Sequence, residues 1–123
     1  GWRSLSAGIV TQAVERLSAP RASLMAWLAP AIAQPAFEVG DDVRDVFLAG
    51  VPNASGCFEP NRRGRWQADL YGLARLYLAD AGIESVHGGG YCTYDDAARF
   101  FSYRRDGTTG RMASFICWRQ DTL

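Results

Sequence analysis

Apolar residues in this chain fall by turns at helical and at strand spacing, and a proline or glycine closes almost every run. That pattern limits the fold to short helices and short strands packed in layers. Leu5, Ile9, Val10, Ala13, Val14 and Leu17 recur at helical spacing, with Ser4 and Ser6 as capping residues, and predict one amphipathic helix ending before Pro20. Leu24–Leu28 and Phe37–Val39 read as short strands on either side of a Pro-rich turn. Asp41 and Asp42 precede a short helix carrying Val43, Val46 and Phe47, and the stretch from Gly50 to Gly64 reads as a loop. The best helical pattern runs from Trp66 to Ala81, with Gly82 as its stop. Ile83–His87 reads as a strand, Gly88–Gly90 as a turn, and a further helix is expected from Asp95. A polar hairpin over Tyr103–Gly110 and a terminal strand over Met112–Trp118 complete the pattern. The fold class is α+β: a layered domain with short mixed strands and flanking helices.

Composition narrows the partners. With 48% apolar residues and 13 basic against 13 acidic side chains, the chain can form a core and has no net charge. Binding nucleic acid or an anionic membrane by bulk electrostatics needs a basic excess, so neither partner is expected. No apolar run approaches a membrane span, and three scattered cysteines without a CxxC pair point to reduced thiols in a cytoplasmic setting. All 13 basic residues are arginine. A lysine Schiff base or P-loop is therefore excluded.

Several residues carry candidate chemistry. His87-Gly88-Gly89-Gly90 has the composition of a loop that offers backbone N–H groups to an oxyanion, although the one histidine of the chain lies inside it and no GxSxG turn accompanies it. His87 and Cys92 are a candidate base and thiolate. Arg62-Arg63-Arg65 and Arg104-Arg105, with Arg3, suit recognition of phosphate or carboxylate. Glu38, between Phe37 and Val39, is the acid whose burial would raise its pKa toward a general-acid range. One histidine and three dispersed cysteines supply no metal-ligand cluster.

Five strings stand out in order: Gly1-Trp2-Arg3; Phe37-Glu38-Val39-Gly40; Trp66-Gln67-Ala68-Asp69-Leu70; Cys92-Thr93; and Phe100-Phe101-Ser102-Tyr103-Arg104-Arg105-Asp106-Gly107 followed by Thr109-Gly110-Arg111-Met112-Ala113-Ser114. Together they resemble the polyphenol oxidase or laccase-domain family, also described as YfiH-like purine nucleoside phosphorylases. The resemblance covers the whole chain, residues 1–123, but only the C-terminal portion of a single family domain. The abrupt Gly1-Trp2-Arg3 start agrees with entry in mid-domain.

The resemblance implies a zinc-dependent enzyme that phosphorolyses purine nucleosides and deaminates adenosine. Its metal is held by two histidines and a cysteine, all expected upstream of Gly1, so no metal ligand is expected in this chain and none is bound by it alone. The chain would supply scaffold and pocket wall, with Arg3 and Arg104 as substrate or phosphate contacts and Glu38 as a catalytic candidate. Expected partners are purine nucleoside, phosphate and the missing N-terminal half, without which the chain is expected to be inactive. A copper-dependent, laccase-like polyphenol oxidase is the alternative from the same family, and a non-catalytic binding module the alternative from another class.

Overall fold

A computed structural model describes residues 1–121. The chain runs through α1 (Trp2–Ser6), α2 (Ile9–Arg16), β1 (Met25–Leu28), β2 (Glu38–Val39), α3 (Asp41–Gly50), β3 (Phe58–Pro60), β4 (Trp66–Ala68), α4 (Leu70–Asp80), β5 (Ser85–Gly88) and α5 (Tyr103–Asp106). The architecture is mixed α+β, as the alternating periodicities predict. Two small sheets form. β1 and β5 pair in parallel, and β2, β4 and β3 form an antiparallel sheet with β4 in the centre.

α4 lies between the two apolar clusters. Leu73 and Tyr77 join Phe47, Val39, Phe58 and Ala68 in the larger one, whereas Leu78 joins Val14 and Ile83 in the smaller, on which Ala26, Leu28 and Val86 of the parallel sheet rest. Phe47 and Leu73 have no exposed surface. Phe47 meets Phe58 at a centroid separation of 6.1 Å and Tyr77 edge-on at 6.2 Å. Both ends of α4 are fixed by backbone groups finding partners. At the start, Asp69 Oδ1 accepts from Gly72 N at 2.9 Å. At the end, Gly82 takes φ +84°, its N–H reaches Ala79 O, and Ile83 N–H reaches Leu78 O. That is a Schellman stop, closed by the packing of Ile83 on Leu78.

Several expectations are corrected. The first helix is broken, because Gly8 sits at φ +87° and divides α1 from α2. Trp66–Ala68 is a strand and not the first turn of α4: its backbone pairs with Phe58–Pro60 on one side and Glu38–Val39 on the other. The span Gly50–Gly64 is consequently more than a loop, since it holds β3. No helix starts at Asp95. The carbonyls of Thr93, Tyr94 and Phe100 accept from the Arg105 guanidinium instead of entering a helical ladder. Tyr103–Asp106 is a helical turn capped by Ser102 and not a hairpin arm. Met112–Trp118 is irregular, with no strand beside it among the described residues. No helix among those residues is long and apolar enough to cross a membrane.

The Tyr77 hydroxyl is buried without a hydrogen-bond partner. A Cβ on Gly50 would come within 2.6 Å of that oxygen, with the ring carbon behind it at 3.8 Å. Gly50→Ala is therefore expected to destabilise by about 1–3 kcal/mol through overpacking. In a Tyr77→Phe background the methyl meets only ordinary contact, so the cost should largely vanish, and Tyr77→Phe alone should be neutral or slightly stabilising. A double-mutant cycle by urea denaturation measures the coupling; purely additive costs would contradict this packing.

Candidate functional site

The structure gathers Glu38 and Arg104 and leaves Arg3 apart. Glu38 lies on β2 opposite Gln67 of β4. Its Oε2 accepts from Asn61 Nδ2 at 2.6 Å and from Arg63 Nε at 2.8 Å, while Arg65 Nε stands 3.5 Å from Oε1. Its main-chain carbonyl accepts from Arg104 at 2.7 Å, and the Arg104 guanidinium lies 5.0 Å from the centroid of the Phe37 ring. Arg3 stacks on its neighbour Trp2 instead, at 4.6 Å.

Asn61 organises this cluster. Its Oδ1 accepts from the backbone N–H groups of Arg63 and Arg65, both at 3.0 Å, so its side chain builds the turn joining β3 to β4. Its Nδ2 reaches Glu38 and also Gln67 Oε1 at 2.9 Å. Gln67 Nε2 continues the network to the carbonyls of Gln34 and Pro35. Sequence reasoning singled out Glu38 and the arginines but missed Asn61 and Gln67. An Asn four residues ahead of Arg65 and just before a Gly-containing turn was the available signal.

Glu38 is held as an anion. Arg63 hydrogen bonding dominates and lowers its pKa, desolvation opposes, and Asn61 with the charges of Arg63 and Arg65 adds to the lowering. This reverses the upward shift that burial alone would give. A carboxylate so surrounded keeps its charge at neutral pH and is poorly suited to donate a proton. Arg63 is 74% exposed, against 24% for Glu38, so solvent screens the pair and its net worth is small.

The other candidates have different partners. His87 Nε2 lies 3.0 Å from Ser85 Oγ, whereas Cys92 Sγ accepts from Ala33 N at 3.4 Å. They do not form a base–thiolate pair with each other. The glycines after His87 serve the fold: Gly88 and Gly89 take φ +87° and +89°, and a Cβ on Gly88 would come within 2.4 Å of Leu28 O. Gly89 N–H is bonded to that same carbonyl and is not free for an oxyanion. Arg105 is likewise committed, since beyond the three carbonyls it binds the Asp106 carboxylate. Cys57 is buried, and desolvation followed by the nearby Asp69 charge raises its pKa away from thiolate chemistry.

Among the described residues, no three His, Cys, Asp or Glu side chains are grouped to hold a metal ion. The donors present thus do not fit the zinc or copper that the resemblance implies.

These elements define an α+β domain of a kind also seen in solved structures. A Neisseria meningitidis protein superposes with a TM-score of 0.84 at 46% identity over 87% of this chain and 44% of that one. The chain belongs to the multi-copper polyphenol oxidoreductase laccase family, whose sequence profile matches residues 1–119. It is 50% identical over 122 residues to a purine nucleoside phosphorylase of Pseudomonas aeruginosa, covering 98% of this chain and 50% of that protein. It is also 48% identical over 116 residues to purine nucleoside phosphorylase YfiH of Escherichia coli, covering 94% and 47%. The chain spans about half the length of the curated relatives it matches.

Two measurements test the cluster. Asn61→Ala should destabilise by about 1–3 kcal/mol, because it removes the turn's acceptor and leaves partly buried groups short of partners. Glu38→Gln should alter the acid limb of stability. With its folded pKa lowered, the Glu38 carboxylate stabilises the native state above the unfolded value of about 4.3 and loses that contribution as pH falls through the folded value. Urea midpoints of wild type and Glu38→Gln should therefore differ at neutral pH and converge in strong acid.

Proposed function

We propose that this chain is the scaffold and pocket-wall portion of a purine nucleoside phosphorylase. The observation that carries the reading is identity of 40–50% over nearly the whole chain to several curated proteins bearing that name. In phosphorolysis an oxygen of inorganic phosphate bonds to the anomeric carbon of the sugar while the bond to the purine nitrogen breaks. The base leaves with the electron pair and takes up a proton, and a pentose 1-phosphate remains.

Within this reading the roles of the candidates differ. Arg104 donates to the Glu38 carbonyl and stacks on Phe37, which fixes its planar head while leaving N–H groups for a phosphate oxyanion. Arg3, apart from this cluster and braced on Trp2, is the other arginine that the reading assigns to an anion. Glu38 positions Arg63, Asn61 and Arg65 by its charge and does not deliver the proton. Zinc, and a second activity in which water replaces the adenosine amino group as ammonia, belong to the same proposal. Residues outside this chain would hold the metal. The alternative, copper-dependent oxidation of phenols, takes its support from the name of the matching family.

The test uses a full-length protein containing this chain. Phosphate-dependent release of base from inosine is expected, with ammonia from adenosine and zinc by elemental analysis. Arg104→Ala should raise KM for phosphate by roughly 10- to 100-fold, the worth of a charge-assisted contact, with a smaller effect on nucleoside KM. Oxidation of phenols with bound copper and no phosphorolysis would overturn the reading in favour of the oxidase.

A further inference from the structure

Two segments leave the parallel sheet at its carboxyl end, after Leu28 of β1 and after Gly88 of β5, and they are fastened to each other. Ala31 bridges Cys92 in parallel, and the Tyr71 hydroxyl accepts from Ala31 N and donates to Tyr91 O, both at 2.7 Å. Ligands of open parallel sheets bind beyond the carboxyl ends of the strands. A cavity of about 600 Å³ opens at that end, a size that suits a small molecule. Ala29 and Pro30 of the first segment, Phe100 of the second and Met112 of the tail give it apolar walls. Arg99 and Ser114 supply its polar side chains.

Arg99 is set in place from two directions. Its Nε and its backbone N–H both donate to the Asp96 carboxylate. Its guanidinium carbon lies 5.0 Å from the centroid of the Tyr91 ring and 5.5 Å from that of Phe100, and these two rings meet edge-on at 5.7 Å. Asp96 engages Nε, so the Nη donors remain for a ligand. A planar fork of this kind fits an edge that carries two acceptors. The anion contact is tied to the same segment: Arg105, next to Arg104, donates to Phe100 O at 2.9 Å.

We propose that this cavity takes the purine base and that Arg99 sets its specificity, favouring 6-oxopurines over 6-aminopurines. The ligand class rests on the phosphorolysis reading given above. Hypoxanthine shows the acceptors N7 and O6 along one edge, the pattern on which an arginine fork recognises guanine in DNA. Adenine shows N7 beside an amino group, which turns a donor against a donor and leaves an arginine N–H without a partner. Pro30, Phe100 and Met112 cover the flat faces of the ring. Those faces are alike in the two bases, so the walls add affinity without choosing, and the choice falls to Arg99.

The test uses a full-length protein containing this chain. In equilibrium dialysis it should hold hypoxanthine about tenfold more tightly than adenine, and 7-deazahypoxanthine, with a C–H in place of N7, should bind more weakly than hypoxanthine. Arg99→Met keeps a flexible apolar side chain and should bring the three dissociation constants within about twofold of one another. Arg99→Lys, with the charge but no fork, should fall between. In Arg99→Met the ratio of kcat/KM for inosine to that for adenosine should drop about tenfold while KM for phosphate holds, a split that damage to the scaffold does not produce. An unchanged base preference, a loss shared equally by both bases, or no binding of hypoxanthine to the wild type would overturn the inference. Binding keeps the two readings apart. An Arg99-dependent preference without phosphorolysis would sink the phosphorylase and leave the base site standing, and phosphorolysis with an unaltered preference would do the reverse.

Discussion

The packing of α4 is the constraint on which the rest depends. A helix of this length is marginal in isolation, so its persistence rests on what it buries. It buries two sides. Leu73 and Tyr77 anchor the antiparallel sheet and α3 through Phe47, whereas Leu78 holds α2 and the parallel sheet. The two sheets share no strand pairing and are linked through this helix. Its ends must then be exact in register, which explains the Asp69 cap and the Gly82 stop. Gly72 belongs to the same device: a Cβ there would meet the Asp69 carboxylate at 2.4 Å and Cys57 Sγ at 3.1 Å.

Local signals were read correctly where the deciding contact is itself local. The Gly82 stop and the helix at Asp41-Asp42 follow from neighbours in sequence, and the structure has both; the strand expected over Leu24–Leu28 also forms, as Met25–Leu28, with Ser85–Gly88 as its distant partner. Errors fall where a distant partner decides. Trp66–Ala68 has helical apolar spacing, yet its N–H and C=O groups are claimed by β2 and β3. Asp95–Phe100 stops at a single turn, with Phe100 N–H reaching Asp96 O, and Arg105 takes the carbonyls of Thr93 and Tyr94 ahead of it and of Phe100 at its end. The Met112–Trp118 pattern looks like a strand because it is apolar, and apolarity alone cannot supply the ladder that a strand requires.

The site was legible in residue type and not in state. An acid between two apolar neighbours on a strand announces a constrained carboxylate, and Glu38 is one. Its direction of shift depends on Arg63 and Asn61, which a turn 23–25 residues away brings to it. Position along the strand places the carboxylate at the sheet surface, and the turn then decides that it remains charged. The family resemblance added what spacing could not, namely that several side chains of one site can lie on a different stretch of polypeptide.

The absence of lysine shapes how the arginines are used. A guanidinium has a planar fork of donors, so a single Arg can gather several carbonyls that no compact ammonium would hold in one plane. Arg105 does so with Thr93, Tyr94 and Phe100, Arg75 binds Gly88 O, and Arg21 binds Val14 O. Each of these side chains serves the backbone, and clustering in sequence does not reveal it. Arg104 and Arg105 are adjacent, of one type, and on one helical turn, yet their commitments differ. Arg105 is saturated by carbonyls and Asp106, whereas Arg104 gives one bond to Glu38 O and rests on an aromatic ring. Pre-orientation with donors to spare is the property that an anion site needs, because little rotamer freedom is then lost when the ligand arrives. The neighbour that appears equivalent in sequence ties together the loop beside it through Thr93, Tyr94 and Phe100.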